Sequence, residues 1–147
     1  MKPLRLGDIL QELGYINAEQ ITAALAYQKE HRELRLGQAL QKLGFVNERQ
    51  VLEALGRRLN LQIVDFSQLT VDVSAAEKVP REVAQKYDML PIAQSGRTLT
   101  VAANDPLNYY AIEDIRQLTG MEPEIVLAEL EPLRRAIRYY YAEVSAR

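Results

Sequence analysis

The chain has 147 residues, of which 48% are apolar and 26% are charged, so we expect one ordinary globular domain or two small ones rather than a disordered segment. Its formal net charge of -2 argues against a general nucleic-acid-binding protein, which is usually strongly basic. The sequence has no cysteine, which excludes disulfide bonds, zinc–thiolate sites and thiol nucleophiles.

The first sixty residues contain a tandem repeat. Residues 5–28 and 35–58 align without a gap and are identical at 11 of 24 positions. Each copy opens with Arg-Leu-Gly, and the two motifs are Arg5, Leu6, Gly7 and Arg35, Leu36, Gly37.

Each copy has the pattern of a short helix, a glycine turn and a longer helix. Apolar residues after each motif follow helical spacing, and Gly14 and Gly44 stand where a left-handed residue would end the first helix. Asn17 lies three residues before Gln20, which is an asparagine form of the capping box, and the same pair recurs thirty residues later. We therefore predict a four-helix subdomain with approximate internal symmetry.

The second part of the chain changes character. We predict, in order, an extended segment at 61–66, a helix at 74–87 with Pro80 near an internal start, strands at 90–94 and 98–103, a helix at 108–118, a strand at 124–128 and a helix at 131–144. The predicted fold class is α+β. A helical tandem-repeat subdomain at residues 1–60 precedes a small α/β subdomain at 61–147, which has a mixed sheet of about three strands.

The sequence lacks the motifs that would indicate an enzyme. It lacks the G-x-x-x-x-G-K-[ST] phosphate loop, and its carboxylates are scattered rather than paired as acid–base catalysis requires. The single histidine, His31, stands in a charged linker where a solvated surface residue is expected. We therefore expect no catalysis, no metal site and no cofactor.

The repeated Arg-Leu-Gly is the best candidate for a binding site. A guanidinium presents a planar fork of donors that fits a phosphate or the O6/N7 edge of guanine. The glycine allows close approach of the backbone, and the start of a helix favours an anion. Four leucines would supply an apolar bed for purine faces: Leu10, Leu25, Leu40 and Leu55.

Two explanations of the repeat stay open at this point. A duplicated helical hairpin would repeat its leucines and glycines simply to pack and to turn, and we expect the four leucines to be core residues in either case. The polar residues Arg5, Arg35 and Gln28, which packing does not obviously require, favour a ligand. A ligand with two-fold symmetry would suit two related half-sites.

The tandem pattern RLG-x-x-L-x-x-x-G resembles the cyclic di-GMP-binding N-terminal domain of MshE-type ATPases, which belong to type II secretion and type IV pilus assembly systems. The resemblance continues through LQIVDF at 61–66, VPREVA at 79–84, LPI at 90–92 and VAANDP at 101–106. It implies a cytoplasmic regulatory domain that precedes the ATPase motor and lies at the inner membrane only through partners. Because nothing like a motor follows residue 141, we expect this chain to be part of a longer ATPase.

The resemblance also implies which residues contact cyclic di-GMP. In this chain they are Arg5, Leu6, Gly7, Leu10, Leu25 and Gln28 of the first copy, Arg35, Leu36, Gly37, Leu40, Leu55 and Arg58 of the second, and Asp105 of the second subdomain. Arg58 stands where the family has glutamine, and the linker is about one residue longer than usual. Asp105 resembles an acidic residue that closes over a guanine edge.

The alternative function is a docking module that ties the ATPase to an inner-membrane platform protein without any nucleotide. Its expected mark is an exposed apolar patch, for which the tyrosines at 139–141 are candidates. A secretory signal and an apolar run of about 18 residues are both lacking in the sequence, so we expect no direct insertion into a membrane.

Overall fold

The computed structural model describes residues 5–146 and divides the chain into two compact units, one ending at Asn60 and the other beginning at Leu61. The described part of the first unit forms four helices. Their bounds are α1 Leu6–Glu12, α2 Ala18–Glu30, α3 Leu36–Lys42 and α4 Glu48–Leu59. Short and long helices alternate, as the repeat predicts.

The short helices end in the same way in both copies. Gly14 and Gly44 have φ angles of +81° and +77°, in the left-handed region that glycine adopts without strain. The backbone N–H of Tyr15 donates to the carbonyl oxygen of Leu10 at 2.9 Å, and the equivalent bond of the second copy is 3.0 Å. The predicted role of these glycines as helix ends is therefore confirmed.

The long helices also begin in the same way. Asn17 Oδ1 accepts from the backbone N–H of Gln20 at 2.8 Å, and Gln20 Oε1 accepts from the backbone N–H of Asn17 at 2.9 Å. Asn47 and Gln50 form the same two bonds at the same lengths. Both predicted capping boxes are present, so local structure accounts for the repeated Asn-x-x-Gln.

The helices of the first unit exchange partners between copies. The long helix α2 packs on the short helix α3, and α4 packs on α1. All four helices contribute to the buried residues, which include Ile9, Leu10, Ala24, Ala39, Leu40, Leu52, Ala54 and Leu55. Neither copy therefore buries its apolar face without the other.

The second unit contains a sheet covered by helices. Its elements are α5 Val73–Ala76, α6 Arg81–Tyr87, β1 Met89–Ser95, β2 Thr98–Ala103, α7 Tyr109–Thr119, β3 Glu122–Leu127 and α8 Leu130–Ala146. The strand order is β1-β2-β3, with β2 antiparallel to β1 and parallel to β3. The predicted α+β class with a mixed three-stranded sheet is confirmed.

One predicted helix needs correction, and the extended segment before it agrees with the prediction. The single helix expected at 74–87 is wrong, because α5 and α6 are separate and Pro80 takes an extended conformation (φ -61°, ψ 148°) as the N-cap of α6. Proline cannot donate to the preceding turn, and it disfavours helix at the residue before it. The extended segment at 61–66 makes one parallel bridge from Ile63 to Leu127, the last residue of β3.

Tyr141 connects α8 by hydrogen bonds to the end of α5 and the residues that follow it. Its side chain is 3% exposed, and its hydroxyl lies 3.1 Å from the carbonyl oxygen of Ala76 and 2.8 Å from that of Val79. Burial raises the pKa of Tyr141 above its ordinary value, so the hydroxyl remains a donor throughout the physiological pH range.

We expect Tyr141→Phe to lower the free energy of unfolding by about 1–2 kcal/mol, because it removes the hydroxyl donor that lies 2.8 Å from the carbonyl oxygen of Val79. The carbonyl oxygen of Ala76 still accepts from the backbone N–H of Val79 at 3.2 Å. Urea denaturation followed by circular dichroism measures the loss. Tyr139→Phe is the matched control, since this tyrosine lies on the same helix but is 61% exposed. Equal stability of the two variants would contradict the proposed role of the Tyr141 hydroxyl.

Within residues 5–146, no helix combines the length and the apolar character needed to cross a lipid bilayer.

Candidate ligand-binding site

The two Arg-Leu-Gly motifs meet in the first unit through reciprocal contacts. A Cβ atom added at Gly37 would lie 2.9 Å from Leu6 Cδ2, and one added at Gly7 would lie 3.2 Å from Leu36 Cδ2. Each leucine thus covers the glycine of the other copy. Contacts that repeat with the copies exchanged are what an approximate two-fold axis produces.

This contact explains the leucine and the glycine of the motif by packing alone. Both glycines are buried, and a larger residue at Gly37 would force Leu6 to move. Because Leu-Gly and the caps have structural roles, their recurrence is not by itself a sign of a ligand. The contact does not account for the arginines, of which Arg35 has a capping bond through its backbone N–H, which donates to Gln38 Oε1 at 2.8 Å.

Arg5 and Arg35 occupy the N-cap positions of α1 and α3 and are exposed. At the start of each helix the backbone of the arginine forms the bonds: the carbonyl oxygen of Arg5 accepts from the N–H of Ile9 at 3.1 Å, and that of Arg35 accepts from the N–H of Ala39 at 2.9 Å. The start of α3 has in addition the bond from the Arg35 N–H to the Gln38 side chain. The guanidinium groups are not required for those bonds. Each belongs to the residue directly before one of the crossed leucines, so both copies carry an exposed arginine at the same place in the motif.

The four leucines of the predicted apolar bed differ in exposure. Leu10 and Leu40 are fully buried and Leu55 is 3% exposed, so these three form the core of the first unit. Leu25 is 48% exposed, and the expectation that all four are core residues is therefore wrong for this one. Leu25 is the leucine of this set that a ligand would reach without rearrangement of the helices.

The residues that end the two copies have different partners. Gln28 Nε2 donates to the carbonyl oxygen of Leu34 at 3.0 Å, next to the second Arg-Leu-Gly. Arg58, at the equivalent position, donates from Nε to Glu12 Oε2 at 3.3 Å, at the end of α1. The last residues of the two copies therefore differ in charge and in bonding, although the helices that carry them are equivalent.

Glu12 is a neighbour of the predicted site that sequence reasoning missed. Its equivalent in the second copy is Lys42, so the two copies carry opposite charges at this position. This reversal of charge is the signal in the sequence that could have identified Glu12. The residue that Glu12 contacts, Arg58, is itself a departure from symmetry, because Gln28 stands at the equivalent position.

Asp105 lies in the second unit, in the turn that follows β2. Its Oδ1 accepts from the backbone N–H of Leu107 at 2.9 Å, and the neighbouring Asn104 Nδ2 donates to the carbonyl oxygen of Ala128 at 3.0 Å. The carboxylate is half-buried and helps to form the turn. This geometry is that of an Asx turn, which has a structural role whether or not a ligand binds.

His31 differs from the solvated residue expected in the linker. It is half-buried as the C-cap of α2, and its ring stacks on that of Tyr27 with centroids 4.0 Å apart. Within residues 5–146, no three histidine, aspartate or glutamate side chains are grouped as a metal site would require.

Comparison with known proteins identifies similar sequences. The family model of the MshEN domain matches residues 59–147, which comprise the second unit and the end of α4. The type IV pilus assembly ATPase PilB of Myxococcus xanthus is 33% identical over 139 residues, 95% of this chain. PilB of Acinetobacter baylyi is 22% identical over 91% of this chain. The chain spans 24% and 23% of the lengths of these two relatives.

Two solved structures share the fold. A structure of MshE with cdg, cyclic di-GMP, is 35% identical with a TM-score of 0.83, and the match covers 94% of this chain and 99% of that one. The N-terminal domain of XpsE is 20% identical with a TM-score of 0.70, covering 91% and 92% of the two chains. At 94% coverage the MshE match extends over both units, including the repeat that the family model leaves out.

Proposed function

Since this chain belongs to the MshEN domain family, we propose that it binds cyclic di-GMP and regulates a type II secretion or type IV pilus assembly ATPase. The observation that carries the proposal is that both copies hold an exposed arginine at the same place, directly before the leucine that packs on the glycine of the other copy. Cyclic di-GMP is itself two-fold symmetric. The similarity to MshE with cdg, at 35% identity, supports the same ligand.

The chemistry of the exposed groups fits the two parts of this ligand. Each guanidinium of Arg5 and Arg35 can form paired, charge-assisted bonds with a phosphate or with guanine O6 and N7. Leu25, half exposed, offers an apolar surface against which a purine face would be removed from water. Fixed donors together with an apolar contact are the usual composition of a small-molecule site.

The remaining members of the proposed site have supporting roles. Leu6, Gly7, Leu36 and Gly37 hold the two motifs together, while Leu10, Leu40 and Leu55 fix the helices that carry them. Gln28 and Arg58 complete the set in the first unit as polar groups for the guanine edges and phosphates, and the assignment of Asp105 rests on the resemblance alone. Of these three, Arg58 departs from the family pattern and Asp105 belongs to the second unit.

The proposal places the domain in a longer cytoplasmic ATPase. The motor domain of the same polypeptide is its first partner, and platform proteins of the inner membrane are the second. No nucleic acid and no inserted membrane segment take part. Ligand binding would act on the motor through this domain, which itself carries out no chemistry.

The docking alternative has less support from the side chains at 139–141. Tyr139 is 61% exposed, but Tyr140 is half-buried and Tyr141 is buried. The ring of Tyr139 lies edge-on to that of Tyr140, with centroids 4.8 Å apart. One exposed tyrosine does not amount to a contiguous apolar patch of the size that marks an interface.

We expect cyclic di-GMP to bind the purified chain with measurable heat in isothermal titration calorimetry. The expected stoichiometry is one ligand molecule per chain, because the two copies of the repeat together form one site. Cyclic di-AMP is the control ligand, because it has the same two phosphates but an amino group where guanine has O6. An arginine fork that reads O6 and N7 should discriminate against it at least about tenfold. Chromatography of the ligand after the titration should recover it unchanged.

Absence of heat with cyclic di-GMP would overturn the proposed function and leave nucleotide-independent docking as the better account. Equal affinities for the two dinucleotides would limit the site to phosphate recognition. Conversion of either ligand that is lost on Arg5→Ala or Asp105→Ala would contradict the absence of catalysis.

A further inference from the structure

The ion pair between Arg58 and Glu12 is the clearest departure from symmetry in the repeat. It joins the penultimate residue of α4 to the last residue of α1 through a single contact of 3.3 Å from Nε to Oε2. The equivalent pair in the other copy, Gln28 and Lys42, cannot form an ion pair. One end of the repeat therefore has a restrained cation, and the other has a neutral amide bonded to backbone.

Stability does not account for this pair. Its side chains are 39% and 59% exposed, and exposed pairs of this kind contribute about 0–1 kcal/mol to folding. Arg58 and Glu12 are 46 residues apart in sequence, so the contact is tertiary and depends on how α1 and α4 pack. Its main local consequence is electrostatic. The Glu12 carboxylate occupies one edge of the Arg58 guanidinium, and that edge is then not available to an anionic ligand.

We propose that Glu12 is an affinity-determining residue of the cyclic di-GMP site, an inference that rests on the proposed function. Its carboxylate holds the Arg58 guanidinium in the free protein and opposes the two negative charges of the ligand. Arg58 binds the ligand only when its ion pair with Glu12 is broken. Glu12 acts through Arg58, so it is a positioning residue rather than a direct ligand contact.

The decisive variant is Glu12→Gln, which keeps the size of the side chain and removes its charge. Cyclic di-GMP should bind this variant about two- to fivefold more tightly, the range expected when a ligand no longer competes with an exposed ion pair. The gain should shrink between about 50 mM and 500 mM salt, because screening weakens the pair in the original protein. A role of Glu12 limited to folding would not produce this salt dependence.

Glu53→Gln is the matched control. Glu53 belongs to the same unit, pairs with Arg49 at 3.0 Å and is 47% exposed, so its replacement makes the same change in net charge away from Arg58. It should change affinity much less than Glu12→Gln. In an Arg58→Gln background the effect of Glu12→Gln should fall to that of the control, because the partner is gone.

Five outcomes are informative. Tighter binding by Glu12→Gln that disappears in the Arg58→Gln background supports the inference, as does binding that appears only once Glu12 is neutralised. Unchanged or weaker binding by Glu12→Gln, or a gain that persists without Arg58, overturns it while the proposed function stands. Absence of binding by the original chain and by every variant overturns both.

Discussion

Arg5→Ala and Arg35→Ala should each weaken cyclic di-GMP binding by about 1.5–3 kcal/mol, or roughly 10- to 150-fold in Kd. Each change removes the planar fork that makes paired, charge-assisted bonds, and alanine offers no substitute. Isothermal titration calorimetry at a single salt concentration measures the loss. The two effects should be of similar size, because the two arginines occupy equivalent N-cap positions.

Neither substitution should change the melting temperature greatly when the ligand is absent. The helix-starting bonds of both positions come from backbone carbonyl oxygens, which alanine retains. Arg49→Ala is the charge-matched control, because Arg49 is exposed in the same unit and pairs only weakly at the surface with Glu53. Lysine at either motif should restore the charge without the fork, and should therefore recover affinity only in part.

Normal binding by both alanine variants would contradict the proposed role of the two arginines in ligand binding. The repeat would then be explained by packing, as the crossed Leu6–Gly37 and Leu36–Gly7 contacts already allow for the leucines and glycines. A loss equal to that of Arg49→Ala would point to general attraction of an anion rather than to specific bonds.

The sequence predicts most of the fold because its signals are local. The glycines after each short helix and the Asn-x-x-Gln pairs act within five residues of chain, and they recur with the same bonds in both copies. The mixed sheet follows from short β-rich runs separated by turn residues. Pro80 is the local signal that divides the region predicted as a single helix at 74–87, because proline disfavours helix at the residue before it.

The parts of the site that escaped prediction depend on tertiary contacts. Glu12 and Arg58 are 46 residues apart, and neither the spacing nor the composition of the repeat places one beside the other. Leu25 and Leu55 hold identical places in the repeat, yet one is 48% exposed and the other 3%. Periodicity identifies which face of a helix is apolar, but it does not show what covers that face.

This difference between equivalent leucines gives the second large expected effect. Leu55→Ala should lower the free energy of unfolding by about 2–5 kcal/mol, because it removes buried methyl groups and leaves a cavity in the first unit. Leu25→Ala should change stability by no more than about 0.5 kcal/mol, since half of that side chain is already in water. Urea denaturation monitored by circular dichroism measures both.

Ligand binding should reverse the order of the two variants. If a purine face lies against Leu25, Leu25→Ala should raise the Kd for cyclic di-GMP about fivefold, which corresponds to roughly 1 kcal/mol of apolar contact. Leu55→Ala, titrated at a temperature where it remains folded, should bind nearly as the original chain does, because its side chain lies beneath the surface. An unchanged Kd for Leu25→Ala would mean that the ligand leaves this leucine in water. The apolar bed would then have to come from the buried leucines, which requires the helices to open on binding.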